Sequence, residues 1–140
     1  MNKKGFTLIE LLIVVAIIGL LSTLAVVALG SARVKARDSK RLADLKQLQT
    51  ALELYYTDQN SYPTGSGVTL GANNYACLNA SGFGATGCAS PYMGVVPSDP
   101  KNGTYVYTAA SSSYTIAATL EGTVNGLSAG ITLSPAGIAD

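Results

Sequence analysis

Between Leu11 and Ala32 the sequence runs for 22 residues without a charge, built mainly from Leu, Ile, Val and Ala, with Gly19 and Gly30 but no proline. As a helix at about 1.5 Å per residue it spans roughly 33 Å, enough for a bilayer core of about 30 Å. An ordinary secretory signal carries an apolar region of about 7–15 residues followed by a small-residue cut site. This run is too long for that, and the chain after it keeps a helical pattern. A buried helix of a soluble domain is the other alternative, but the remainder of a 140-residue chain is too small to wrap it. The run therefore reads as a membrane-spanning helix.

Charge is distributed unevenly around it. Up to Asp58 there are eight Lys/Arg and five Asp/Glu, a balance of +3; the remaining residues carry Lys101 against Asp99, Glu121 and Asp140, a balance of −2. The total of +1 gives no sign of a nucleic-acid partner. Histidine and tryptophan are absent, which removes the commonest general base and zinc ligand. No nucleophile–base constellation, Walker loop or metal-ligand spacing occurs, so an enzyme is not expected.

Glu10 is the anomaly, set between Phe6-Thr7-Leu8-Ile9 and Leu11-Leu12-Ile13. A carboxylate near the centre of a spanning helix costs about 2.5–3.5 kcal/mol on insertion scales, and less near the interface. Lys3 and Lys4 are poorly spaced to neutralise it. Two readings stay open: the carboxylate snorkels to the headgroups, or another molecule supplies its partner.

The run Lys4-Gly5-Phe6-Thr7-Leu8-Ile9-Glu10, followed by Leu11-Leu12-Ile13-Val14-Val15-Ala16-Ile17-Ile18-Gly19, resembles the class III signal sequence of type IV pilins and type II secretion pseudopilins. The resemblance implies cleavage after Gly5 by a prepilin peptidase on the cytoplasmic side and N-methylation of the new terminus at Phe6. It also implies an assembly role for Glu10, whose carboxylate would meet the terminal amine of a neighbouring copy in a filament. Assembly by an ATPase acting through a platform protein, with storage in the inner membrane beforehand, is implied too. Many pilins place a proline eight residues beyond the glycine matching Gly19; here that position is Val27, which puts a local unwinding of the helix in doubt. The positive-inside rule opposes this orientation, because Arg33, Lys35, Arg37, Lys40, Arg41 and Lys46 outnumber Lys3 and Lys4. The resemblance and the two downstream cysteines, suited to an oxidising compartment, favour a periplasmic head nonetheless.

Beyond the apolar run, Leu45, Leu48, Leu52 and Tyr55 step by three and four, with Leu42 and Ala51 widening the stripe. One helix is expected from about Phe6 to Tyr56 or Asn60, ended by Ser61-Tyr62-Pro63. The basic positions 33–46 interleave with Asp38 and Asp44 and lack aromatic neighbours. They read as a solvated face or a salt-bridge surface between subunits rather than a nucleic-acid site.

Thr104–Thr108 and Tyr114–Leu120 alternate with period two, Tyr114, Ile116, Ala118 and Leu120 facing inward and Thr115 and Thr119 outward. Ala109–Ser113 reads as their hairpin loop, and a third strand is expected near Leu127–Leu133. The expected organisation is a leader at 1–5, a transmembrane and polymerisation helix at 6–32, its amphipathic continuation at 33–60 and a β head at 61–140. The class is α+β: a long N-terminal helix with a small antiparallel sheet.

Cys77 and Cys88 supply a plausible staple for so small a core; two free thiols in a reducing host are the alternative. Their spacing is wrong for CxxC redox chemistry. Ala51–Asp58 with Ser61–Thr64, and Pro97–Tyr107, are similar to the helix exit and pre-sheet loop of major pseudopilins. Heads of that family often bind calcium in a C-terminal loop. Here Asp99, Glu121 and Asp140 are the only acids after residue 58, too few for an ion that prefers six to eight oxygens unless carbonyls contribute. Asp99-Pro100-Lys101-Asn102-Gly103 reads more simply as a turn. No cofactor is expected.

Overall fold

The computed structural model describes residues 5–140, so Lys3 and Lys4 lie outside the described residues. By internal contacts the chain divides into two compact units, residues up to Val34 and Lys35–Asp140. A single α-helix, α1, runs Leu8–Gln59. Its end falls where the sequence places it. Asn60 adopts a left-handed φ of 53° and donates its amide to the Tyr56 carbonyl at 2.8 Å, a closing geometry that Asn tolerates better than most residues. Pro63 follows and cannot rejoin the ladder.

In the first unit α1 presents its apolar side chains to the surroundings: Leu8, Ile9, Leu11 and Leu12 are all exposed, as are Leu20, Leu24 and Val27, and so is Phe6 just before the helix. This helix is long and apolar enough to cross a membrane. No polar face interrupts the stretch, as expected of a segment whose solvent is lipid or other helices.

The second unit is the head. Four antiparallel pairings join β1 (Gly65–Thr69), β4 (Val106–Ala110), β5 (Ser113–Thr119), β6 (Gly130–Ser134) and β7 (Gly137–Ala139) into one sheet, in the order β1-β4-β5-β6-β7. A separate hairpin pairs β2 (Cys77–Asn79) with β3 (Gly82–Gly84). The α+β class is as expected. Along β5, Tyr114, Ile116 and Ala118 are buried and Thr115, Ala117 and Thr119 exposed, the period-two pattern that the sequence shows.

The core joins Leu45, Leu48, Ala51, Leu52 and Tyr55 of α1 to Tyr105, Tyr107, Tyr114, Ile116, Leu120, Ile131 and Leu133. Tyrosines are its bulkiest side chains, and three of their hydroxyls find partners: Tyr105 donates to Asp44, Tyr107 to the Pro63 carbonyl and Tyr62 to Glu53. Among the described residues Tyr114 has the one buried side-chain polar atom without a protein partner.

Several strand limits differ from expectation. Ala109 and Ala110 belong to β4, because they pair with Tyr114 and Ser113, and only Ser111-Ser112 remain as the turn. The third strand lies at Gly130–Ser134, later than expected. β1, β7 and the β2–β3 hairpin were not foreseen; glycine makes their local β preference weak, and pairing decides them. At Gly65 an added Cβ would sit 2.7 Å from the Tyr107 ring, so this edge strand approaches β4 closely only without a side chain there.

Candidate functional site

The start of α1 is built as a reciprocal cap. Glu10 Oε2 accepts from the Thr7 amide at 2.9 Å and from the Thr7 hydroxyl at 2.7 Å, while the Glu10 amide donates to Thr7 Oγ1 at 3.3 Å. Thr7-Leu8-Ile9-Glu10 is a capping box, satisfying two of the amides that a helix N-terminus leaves unpaired. The sequence contained this signal in its T-x-x-E spacing, and attention to the charge alone overlooks it. Glu10 therefore has a hydrogen-bonding partner within the chain. Among the described residues no cation pairs with it, because none of the ion pairs includes Glu10. Phe6 stands just before the cap, 87% exposed, and Gly5 has open space around it.

The second charged site is in the head. A solvated or intersubunit face is expected for positions 33–46, and the structure corrects that for Arg41 and Asp38, which are 2% and 0% exposed. Arg41 forks onto Asp99, Nε to Oδ2 at 2.6 Å and Nη2 to Oδ1 at 3.0 Å. Its Nη1 reaches Asp38 Oδ1 at 2.7 Å and Glu121 Oε1 at 2.9 Å. Arg37 forks onto the two Glu121 oxygens at 2.6 Å each, and Lys101 Nζ adds 3.0 Å to Oε2. Backbone amides complete the set: Glu121 and Gly122 donate to Asp38, and Lys101 and Gly103 to Asp99.

The geometry sets the electrostatics. Arg41, with help from the Lys101 and Gly103 amides and against the effect of burial, holds the Asp99 carboxyl down at about 2. The Arg37 fork first, then Lys101, hold Glu121 well below the usual carboxylate range. The Arg41 guanidinium is pushed up by Asp99 before its other acids. The cluster is a clamp: residues of α1 grip one loop through Asp99 and another through Glu121. The Asp99 turn expected from Asp99–Gly103 is present, with Asp99 bonding its own loop amides.

Calcium, which the resemblance implies for such heads, does not fit these acids. Each carboxylate oxygen of Asp38, Asp99 and Glu121 already accepts at least one N–H. Asp140 is not brought to them; it accepts from Ser128 instead. Among the described residues no group of three or more His, Cys, Asp or Glu is arranged to hold a metal ion.

Cys77 and Cys88 are joined by a disulfide, Cα to Cα 6.1 Å, which ties the β2–β3 hairpin to the loop after it. A cavity of about 270 Å³ is lined by Tyr55, Tyr62, Pro63, Asn74, Tyr75 and Phe83, with no carboxylate, thiol or amine on its wall.

An apolar helix opened by a Phe-Thr-x-x-Glu cap, with a disulfide-stapled antiparallel head, defines a pilin-like class of protein. Residues 1–30 match the family model of the prokaryotic N-terminal methylation motif, and residues 28–126 match that of type II secretion system protein G. The second match covers most of the chain, which belongs to the type II secretion system protein G family. It is similar to the type II secretion system core protein G of Aeromonas hydrophila, 40% identical over 45% of this chain and 44% of the relative. The same-named protein of Escherichia coli K12 is also 40% identical, over 45% and 43%. The type IV wide pilus major component PilA4 of Thermus thermophilus is 42% identical over 49% and 53%. The chain thus spans about half the length of these relatives. No solved structure matches it significantly.

Proposed function

We propose that the chain is a structural subunit of a type IV pilus-like filament, cut after Gly5 by a prepilin peptidase, N-methylated on Phe6, and polymerised through α1. The observation that carries this reading is the pairing of an exposed apolar helix with a carboxylate that no cation neutralises within the described residues. Cleavage places a terminal amine at Phe6. In a staggered stack of helices the Glu10 carboxylate of one copy then meets the amine of the next, and both charges leave the bilayer paired. Lipid tails are as apolar as leucine, so close packing and this charge pairing, not water exclusion, direct association.

Before assembly the chain sits in the inner membrane as a single-pass protein with its head on the outer side, and extraction draws on an assembly ATPase and platform protein. It works without a cofactor and is not an enzyme. A second reading, major pseudopilin of a type II secretion system driving protein export, is favoured by the match of residues 28–126 to protein G; the likeness to PilA4 favours the surface pilus.

Expression with a prepilin peptidase and an assembly system tests the proposal. Fibres visible by negative-stain electron microscopy, built from chains that begin at N-methylated Phe6 by mass spectrometry, are the expected result. A chain that keeps its first five residues and stays dispersed overturns it. Reconstitution beside a secretion system or a retractable pilus system then separates the two settings.

A further inference from the structure

Two asparagines in the chain are followed by glycine, at Asn102-Gly103 and Asn125-Gly126, and both asparagines are exposed. Such a step is chemically labile in water. The amide nitrogen of the following residue attacks the asparagine side-chain carbonyl carbon, and glycine has no side chain to obstruct the approach. Every other asparagine is followed by a residue with a side chain. Sequence alone thus nominates two sites and ranks them equally. The structure separates them.

At Asn102 the attacking nitrogen is engaged. The Gly103 amide donates to Asp99 Oδ1 at 3.0 Å, and the same carboxylate holds the Lys101 amide and the Arg41 fork. A negative acceptor opposes loss of the Gly103 proton, and its anchorage in the clamp fixes the loop backbone. None of this applies at Asn125. Asn125 and Gly126, with φ of 53° and 82°, form the two-residue turn of an isolated bridge between Val124 and Leu127, closed by two amide–carbonyl bonds of 3.0 Å. Among the described residues the Gly126 amide has no acceptor. The bridge lies outside the sheet, so opening the turn costs two hydrogen bonds and leaves every strand paired.

We propose that Asn125 is a self-modification site, at which the head converts its own amide into a carboxylate beside Lys46 of α1. A solvent base removes the Gly126 amide proton, the nitrogen bonds to Asn125 Cγ, and Nδ2 leaves as ammonia. Water then opens the cyclic imide at either carbonyl, giving aspartate or isoaspartate. The change has a destination. Asn125 shares a groove of about 380 Å³ with Leu42, Ala43, Lys46, Leu127 and Ile138. Lys46 Nζ reaches Gln49 Oε1 at 3.3 Å, and among the described residues it has no ion pair. The new acid gives Lys46 a partner and takes the formal net charge of the chain from +1 to zero. Because the reaction runs one way, its extent records the age of a subunit, whether or not that subunit has entered a filament.

The test ages the full chain in detergent micelles at mildly alkaline pH and samples it over time. Trypsin with an endoprotease that cuts at Glu121 places Asn102 and Asn125 on separate peptides, and mass spectrometry follows the change from amide to acid on each. The same chain in urea, where neither turn persists, supplies the reference, and there the two sites should convert at similar rates. In the folded chain Asn125 should convert at least about tenfold faster than Asn102, because the Gly103 amide must first surrender its bond to a charged acceptor. Equal rates in the folded chain, or a faster Asn102, overturn the proposal. So does an Asn125 that stays intact while the urea sample converts. The Lys46 half is read on Asn125→Asp with a carbodiimide, which joins a carboxylate to an amine in direct contact. A cross-link from position 125 to Lys46 is the expected product, and its absence overturns that half.

Discussion

Thr7 and Glu10 bond to each other in both directions across the first turn of α1, the Thr7 amide and hydroxyl donating to the Glu10 carboxylate and the Glu10 amide to the Thr7 hydroxyl. Glu10 thus has two separable properties, a cap acceptor and a negative charge. Glutamine at this position keeps the first and deletes the second. We expect Glu10→Gln to be cleaved and methylated normally yet to yield few filaments, like Glu10→Ala. The alanine variant alone should also lose about 1 kcal/mol of helix-end stability, visible as faster amide exchange over the first turn. Filament counts at wild-type level for Glu10→Gln would show that capping, not charge, is what assembly needs.

The grip of Arg41 on Asp99 is bidentate, and lysine cannot reproduce a fork. Arg41→Lys should therefore destabilise the head in spite of retaining the charge, by about 1–3 kcal/mol, and Asp99→Ala by about 3–5 kcal/mol, since it breaks a buried ion pair and leaves Nε and Nη2 of the guanidinium without their acceptor. Chemical denaturation of the full chain in detergent measures both. Equal stability of Arg41→Lys and wild type would contradict the importance of the fork.

Acid should open the same clamp. The Asp99 carboxyl is held at about 2 in the folded head, below its ordinary value near 3.8. A depressed carboxyl contributes stability that is fully present above the unfolded value and lost as pH falls toward the folded one. The melting temperature should thus decline between about pH 5 and pH 2, and the gap between wild type and Asp99→Asn should narrow over that interval. A gap that widens on acidification has the wrong sign for this account.

Two neighbouring positions on β5 should behave oppositely. Ile116 is fully buried in the core and Thr115 is exposed. Ile116→Ala should cost about 2–5 kcal/mol through lost contacts and a residual cavity, whereas Thr115→Ala should stay within about 0.5 kcal/mol. Comparable losses at both sites would mean that the register of β5 is misassigned.

Gly71 offers a backbone test. Its φ is +78°, and an added Cβ would lie 2.7 Å from the Pro97 carbonyl oxygen, an atom of the main chain that has no rotamer to escape into. Gly71→Ala should destabilise by about 1–3 kcal/mol, read as a lower denaturation midpoint, while Gly19→Ala, with nothing near its Cβ position, should not.

Where the chain's physics is local, the sequence is transparent. The charge-free run, the Leu45–Tyr55 stripe and the alternation at Tyr114–Leu120 each state one periodicity, and each element formed where that periodicity lies. Glycine-rich Gly65–Thr69 and Gly137–Ala139 carry no such signal, because strand pairing with β4 and β6 creates them. The charged positions 33–46 were harder still. An Asp and an Arg three residues apart look alike on a wet helix face and under a folded loop. Only the arrival of Asp99 and Glu121, 58 and 80 residues further along, decides between them. At the helix start the letters T-x-x-E state a capping box, but the insertion cost of Glu10 speaks only of its charge and is silent on the near neighbour that bonds it.

The tyrosine-filled core has an optical consequence. The chain has no tryptophan, so its ultraviolet signal belongs to eight tyrosines. Burial and then Glu53 push the Tyr62 phenol up to about 12, and burial, the leading cause at Tyr105, Tyr107 and Tyr114, pushes these higher still. In alkali these four rings resist ionising until the head gives way. Phenolate absorbance then becomes a label-free gauge of head integrity, whether the subunit is dispersed in micelles or locked into a fibre.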